Sequence, residues 1–290
     1  MTETTLDQRQ AKATTPADHA RPVAERITAA KSPEGVGDPR IDFERDDYWA
    51  CIPAGYFLMG AQSQDESQSN YDPEADDDES PVHGVSLGGY RIARYAITVG
   101  QYRHFIETRA YKHRCWWKAG GFGRFVAPQD WHQQLAYPSR PVVGVSWWEA
   151  AAYCAWSGYC LPTEVQWERA ARGTTARKYP WGDEEPEVGW KNYDCVLGHP
   201  TPVGFFPRDM TPEGVWDMGG NVWEWCGDPY AGYTADSVTD AEDAFRHVIR
   251  GGSWADGAAC CRAANRIRYG PEHRDDDLGF RVVEPPLSRK

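Results

Sequence analysis

The sequence predicts an α+β domain in which a few helices are set among short strands and long, structured loops. Three observations carry that prediction. Glycine and proline, 28 and 21 of the 290 residues, break regular elements along the whole chain. Fourteen tryptophans and 15 tyrosines supply rings that fasten irregular segments to one another. Helical periodicity ends at Gly173, and beyond it run Gly/Pro-rich stretches with isolated apolar pairs.

Residues 1 to about 45 are polar and lack a periodic apolar pattern, which predicts a flexible leader with at most a short helix in "AERITAAK". A single domain is expected over 46–285, with 286–290 as a tail. "DDYWACIPAGYFLMG" opens it with the first strand and turn, carrying Ile52, Tyr56, Leu58 and Met59 before Gly60. The acidic run "DPEADDDE", Asp72 to Glu79, reads as a solvated loop. "VSLGGYRIARYAITVGQYRHFIE" starts with period-two alternation and passes into helical spacing at Val99, Tyr102, Phe105 and Ile106, with Thr98 as the N-cap. In "RPVVGVSWWEAAAYCAWSG", Ser146 and Glu149 form a capping box, Ala150, Tyr153 and Cys154 face inward, and Gly158 ends the helix. "LPTEVQWERAARG" repeats the logic with Thr163 as cap, Glu164 next to it and Gly173 beyond the end.

The composition excludes several function classes. A hydrophobic fraction of 41% suffices for a core, and a net charge of −12 repels nucleic-acid backbones and anionic membranes alike. "MTETTLDQRQAKATT" has no apolar signal region and no apolar run approaches the ~18 residues of a membrane span, so the cytoplasm is the expected compartment. The eight cysteines are then expected to be mostly reduced, including Cys154 and Cys160 around "AWSGY". His83, His199, His247 and His273 lack zinc-ligand spacing, and neither a Gly-x-Ser-x-Gly elbow nor a phosphate loop is present.

Eight blocks in order, "IPAGYFLMG", "SPVHGVSLGGYRIARYAITVGQYRHFI", "RPVVGVSWWEAAAYCAWSG", "LPTEVQWERAARG", "YPWGDE", "GVWDMGGNVWEW", "RGGSW" and "LGFRVV", resemble the formylglycine-generating-enzyme, or sulfatase-modifying-factor, family from about Trp49 to Val283. The resemblance implies a modified C-type-lectin architecture, a scaffold that hosts oxidases, sulfoxide synthases and plain binding proteins. Its oxidases place two cysteines, spaced C-x-x-x-x-C after the Gly-Gly-Ser turn, on copper(I). A soft ion of that kind takes two thiolates. Aligned on Ser253 and Trp254, the first of these positions is Asp256 and the second Cys261. A carboxylate is a hard donor, and adjacent Cys260 and Cys261 point to different sides of an extended backbone. An oxidase would have to rely on Cys261, Cys260 and Ser253. The sulfoxide synthases add iron-binding histidines from an N-terminal helical domain, which the polar leader does not resemble.

"RGGSWADGAACCRAANRIRYGPEHRDDDLGFRVV" also resembles the variable region of ligand-binding proteins diversified by retroelements. There a constant framework, matched by "RGGSW", "CRAANR" and "GFR", alternates with solvent-facing positions. Those positions here are Ala255, Asp256, Gly257, Ala259, Ile267, Tyr269, Gly270, His273, Asp275, Asp276, Asp277 and Leu278. None carries Lys, Met, Glu, Gln or Trp, the residue types that adenine-directed mutation of an Asn codon cannot reach. The expectation is a non-catalytic display protein whose polar, extended C-terminal loops meet a protein or other macromolecule.

Arg250, Arg262, Arg266, Arg274 and Arg281 alternate with Asp228, Asp256 and Asp275 to Asp277, which predicts guanidinium clamps between these loops. Asp217 and Glu224, with the carbonyls of Gly220 and Val222, are matched to a calcium site of the resembled family, and Asn192 and Asp194 to part of a second. The opposing expectation is a turn at Asn221 and a buried salt bridge at Glu224. Trp147, Trp148, Trp156, Trp167, Trp181, Trp190, Trp216, Trp223, Trp225 and Trp254 are expected as core fasteners.

Overall fold

The computed structural model describes residues 41–187, 189–234 and 243–286. Most of the polar leader, including "AERITAAK", lies outside the described residues. Its end does not behave as a leader: Phe43 stacks on Trp49 at 5.9 Å between ring centroids and leans on Tyr159 at 4.7 Å. Ile41 and Phe43 both pack against the core, so the domain starts before residue 46.

Two hairpin-like pairs precede the helices. β1 (Trp49–Ile52) pairs antiparallel with β4 (Tyr90–Ala93), and β2 (Gly55–Met59) with β3 (His83–Leu87). The expected single strand is therefore two, divided at Pro53 and Ala54. The alternation in β2 sends Phe57 and Met59 inward and leaves Tyr56 exposed.

The helices form where their caps predict. α1 (Val99–Glu107) has Thr98 as cap, with Gln101 completing the box. After the single turn α2 (Trp131–Gln134), α3 (Trp147–Ser157) starts on the Ser146–Glu149 box and ends at Gly158, whose φ of 82° is the left-handed conformation glycine allows. α4 (Glu164–Arg172) starts at Thr163 and stops at Gly173. None of the described helices is long and apolar enough to cross a membrane.

Beyond Gly173 the chain builds a four-stranded sheet in the order β7-β6-β5-β8, from β5 (Trp223–Pro229), β6 (His247–Arg250), β7 (Arg266–Tyr269) and β8 (Leu278–Gly279). Only β8 runs parallel to its neighbour, with Trp223 opposite Leu278. The main core lies between this sheet and α1 and α3, where the Tyr102 and Tyr153 rings stack at 5.3 Å and Phe280 meets both edge-on. Trp167, Trp223 and Trp225 are buried, and Trp147, Trp148, Trp156 and Trp216 pack partly buried on the core. Trp181, Trp190 and Trp254 are only half-buried: Trp181 stacks on Tyr179, and Trp190 lies under Arg208.

The acidic run departs from expectation. Asp72 and Glu79 are buried, because Arg262 donates to Asp72 at 3.2 Å and to both oxygens of Glu79 at 2.7 Å. All eight cysteines are free thiols, and Cys154 and Cys160 are not joined.

Candidate functional site

The site grows from the end of β6. Arg250 is followed by Gly251 and Gly252 at φ values of 106° and 69°, and a Cβ on Gly252 would lie 2.8 Å from the Cys260 carbonyl oxygen. Only glycine permits that approach. The chain therefore turns at Ser253, loops out through Ala255 and Gly257, and returns through the short helical turn Ala258–Cys261 against its own start.

Asp256 closes this loop. Its Oδ2 accepts from the Ser253 hydroxyl at 2.5 Å, the Ser253 backbone N–H at 3.0 Å and Trp223 Nε1 at 2.8 Å. One oxygen of the carboxylate that stands in the first thiolate position thus takes three donors. Cys261 is completely buried and its thiol is pushed up by burial; Cys260, half-buried, is pushed up to about 11 for the same reason. A carboxylate is a hard donor and one oxygen of Asp256 is already taken by Ser253 and Trp223, so Asp256 with Cys261 does not supply the pair of soft sulfur ligands copper(I) takes.

Beneath the loop lie the arginines, acting as clamps on partners other than those expected. Arg250 pairs with Glu164 at 3.3 Å and with Glu168, Arg266 with Glu164 at 2.7 Å, and Arg281 with both oxygens of Glu224 at 2.6 and 2.7 Å. Arg274 donates to the Gly144 and Ala127 carbonyls at 2.6 and 2.8 Å and faces Glu149 at 3.5 Å. The clamps run mostly to glutamates of α3, α4 and β5, not to the aspartates of the loops. Buried guanidinium–carboxylate pairs of this kind tie distant segments into one register.

Above the clamps the display positions gather on one face. Ala255, Gly257, Ala259, Tyr269, Asp275 and Asp276 are exposed, while Gly270, His273 and Asp277 are partly covered. The Tyr269 and His273 rings stack at 3.9 Å, and His273 Nε2 lies 3.9 Å from Asp275. Burial and then the charges of Asp277, Asp275 and Asp256 push the Tyr269 hydroxyl up. Burial pushes Asp277 up to about 6, with the neighbouring aspartates adding to the shift and the Ser253 hydroxyl opposing it. Oxygens of Asp275, Asp276 and Asp277 all lie within 4.8 Å of one another. The face is acidic.

Two display positions are corrected by the structure. Leu278 is 1% exposed, since β8 lays it opposite Trp223 inside the sheet. Ile267 is half-buried with its side chain packed on the core. Asp256, although on the face, is held by the loop it closes.

Beside the face opens a cleft of about 210 Å³, lined among others by Gln129, Asp130, Tyr137, His199, Trp254 and Asp276. Gln134 shapes its floor by donating to the Gln129 and Val143 carbonyls at 2.7 and 2.9 Å and accepting from the Val143 N–H at 3.1 Å. Arg140 stacks over Tyr137 at 3.7 Å. The Gly144 N–H donates to the Asp275 carbonyl at 2.7 Å and joins cleft to acidic loop. Residues 129–140 have no periodic pattern and no motif, so nothing in the sequence marked them as part of a site.

The two carboxylates matched to the calcium site have partners of their own among the described residues. Glu224 gives one oxygen to Arg281 and the other to Arg281 and to Trp167 Nε1, the latter at 2.7 Å. Asp217 accepts from the Gly204 N–H at 2.7 Å, and the Gly220 carbonyl accepts from Val222 at 2.9 Å. The structure shows the salt bridge at Glu224, where Arg281 supplies positive charge to both carboxylate oxygens. Asn192 is buried and donates to the His199 carbonyl and Asn221, while Asp194 is exposed and its N–H donates to the Asp256 carbonyl. The buried Asn192 side-chain oxygen receives no donor among the described residues.

Residues 42–286 match the model of the sulfatase-modifying factor enzyme 1-like domain. A hercynine oxygenase from Mycolicibacterium thermoresistibile is 33% identical over 257 residues, covering 78% of this chain and 56% of that protein. The chain thus spans little more than half the length of the curated relatives of that name. An inactive C-alpha-formylglycine-generating enzyme 2 from Mus musculus is 33% identical over 295 residues, covering 84% of this chain and 89% of that one. Among solved structures, PvdO from Pseudomonas aeruginosa superposes with a TM-score of 0.63 at 26% identity, covering 82% of this chain and 94% of that one. Treponema denticola variable protein 1 shares the fold with a TM-score of 0.57 at 23% identity, covering 82% and 95%. With its cap-defined helices, glycine turn and clamped C-terminal sheet, the chain belongs to the sulfatase-modifying factor enzyme 1-like, or FGE-sulfatase, domain family.

Proposed function

We propose that this chain is a non-catalytic binding module that presents the acidic face of Ala255–Ala259, Tyr269–His273 and Asp275–Asp277 to a basic segment of a macromolecular partner. One observation carries the reading: the position where an oxidase needs a thiolate holds Asp256, engaged by Ser253 and Trp223 in building a loop whose neighbours are carboxylates. Clustered negative charge draws a cationic partner at long range, and the adjoining cleft of about 210 Å³, with Trp254 and Asp276 in its lining, gives such a partner a place to anchor. The buried framework and exposed loops also support the narrower reading of a retroelement-diversified protein. That version requires a near-identical template repeat and a reverse-transcriptase gene beside this one.

The test is fluorescence anisotropy with labelled oligoarginine and oligoglutamate peptides at low and physiological salt. Oligoarginine is expected to bind, more weakly as salt rises, and the double variant Asp275→Asn with Asp276→Asn should weaken it about tenfold. Equal binding of both peptides, or no effect of the variant, refutes the acidic face. The competing copper oxidase is examined by copper(I) titration. Stoichiometric binding abolished by Cys261→Ala would replace the binding-module reading.

A further inference from the structure

The loop "KAGGFGRFVAPQ", Lys118 to Gln129, is fastened at both ends. At its start Gly121, with a φ of 74°, passes so close to Trp148 of α3 that a Cβ there would stand 2.6 Å from the Trp148 Cβ. Arg124 lies over the same indole, 4.8 Å from its centroid. At the other end Arg274 holds two residues at once: its guanidinium stacks on Phe125 at 4.3 Å and donates to the Ala127 carbonyl at 2.8 Å. The Gln129 N–H then donates at 2.9 Å to the Gly144 carbonyl, which Arg274 also reaches. Val126 sits between the two residues that Arg274 grips, and it is 89% exposed. Phe122, edge-on to Trp117 at 6.3 Å, is 42% exposed. A lone apolar side chain on a surface is ordinary. Here two of them are held in water by a loop locked on either side.

Arg274 lies in the chain between His273 and Asp275, and the Gly144 N–H donates to the Asp275 carbonyl, so this loop and the acidic face are fastened into one surface. We propose that Phe122 and Val126 are the apolar half of the binding surface, which takes a segment carrying aliphatic or aromatic side chains beside its cationic ones. Such a partner presupposes the acidic face proposed above and adds an apolar requirement to it. Charge complementarity selects this occupant. Asp275 and Asp276 are exposed and have no ion-paired lysine or arginine among the described residues, so whatever covers the neighbouring apolar pair must bring cations with it. A second copy of this chain fits poorly, because a net charge of −12 and two acidic faces would be brought together. The two halves act differently: the carboxylates steer and orient the encounter and are screened by salt, whereas burial of Phe122 and Val126 adds affinity that salt does not remove. A loop already locked in place also loses little freedom on binding.

The experiment uses the full chain and two labelled peptides with the same arginines, the intervening positions being serine in one and leucine in the other. At physiological salt the leucine peptide is expected to bind about tenfold more tightly, and Phe122→Ser with Val126→Ser should bring it down to the affinity of the serine peptide. If the double variant melts early, Val126→Ser alone carries the test, with an expected loss of about threefold. Equal affinity of the two peptides for the wild type overturns the apolar half and leaves the acidic face standing. A leucine advantage that survives the substitutions places the apolar contact elsewhere and overturns it too. Absence of serine-peptide binding refutes the acidic face, and with it the partner proposed here. Self-association of the wild type in sedimentation, abolished by the double variant, would make the occupant a second copy and overturn the proposal.

Discussion

Two acidic runs, Asp72 to Glu79 and Asp275 to Asp277, look alike in the sequence and end in opposite states. The first is drawn inward: Arg262 takes Asp72 and Glu79, Lys178 takes Glu74 at 2.9 Å, and Asp78 accepts from Tyr230 and lies 3.5 Å from Arg268. The second is left outside. Among the described residues no lysine or arginine forms an ion pair with it, and the Asp275 carboxylate faces the His273 ring at 3.9 Å and accepts from the Asp276 N–H. A run of carboxylates thus has no fixed meaning; its partners decide whether it is framework or face.

The comparison breaks most visibly at Arg262. Replacing it with Met leaves Glu79 buried without its partner and should destabilise the domain by about 3–5 kcal/mol in urea unfolding. A loss below about 1 kcal/mol would mean that the first run is as independent of its arginine as the second. Leu278→Ala is the next largest, about 2–4 kcal/mol, because β8 buries this side chain. Equilibrium unfolding showing a surface-like effect would return Leu278 to the display face.

A smaller effect separates the runs by pH. Asp277 has its folded value raised to about 6 from 3.8, chiefly by burial. Between these values the folded state keeps a proton that the unfolded chain has released, so the group's contribution to stability declines as pH rises through that window. Discounted for its partial exposure, the penalty is about 1 kcal/mol at pH 7. Asp277→Asn should therefore stabilise by that amount at pH 7 and by almost nothing at pH 4, as read from urea midpoints at the two values. The same gain at both would sever the link to titration. Smallest is Tyr269→Ala, expected to change stability by no more than about 0.5 kcal/mol while reducing oligoarginine binding, since the ring is part of the exposed face.

Much of the scaffold was legible. Thr98, Ser146 and Thr163 announced helix starts, and Gly158 and Gly173 their ends, because capping is settled within about four residues of chain. The β5 to β8 sheet was not legible: β8 is two residues long and β6 and β7 are four each, too short for a period to register. The arginines were recognisable as clamps but not their partners. Arg262 and Glu79 are 183 positions apart, and no local pattern joins them.

What the sequence determined by itself was local or positional: the caps, the family blocks, and Asp256 in place of a thiolate. Only the tertiary structure decided which carboxylates would be neutralised, that Leu278 turns inward, and that residues 129–140 form a cleft against Trp254. The physical reason is range. A cap or a glycine turn is set by neighbours along the chain, whereas burial and charge pairing depend on groups that only folding brings within a few ångströms.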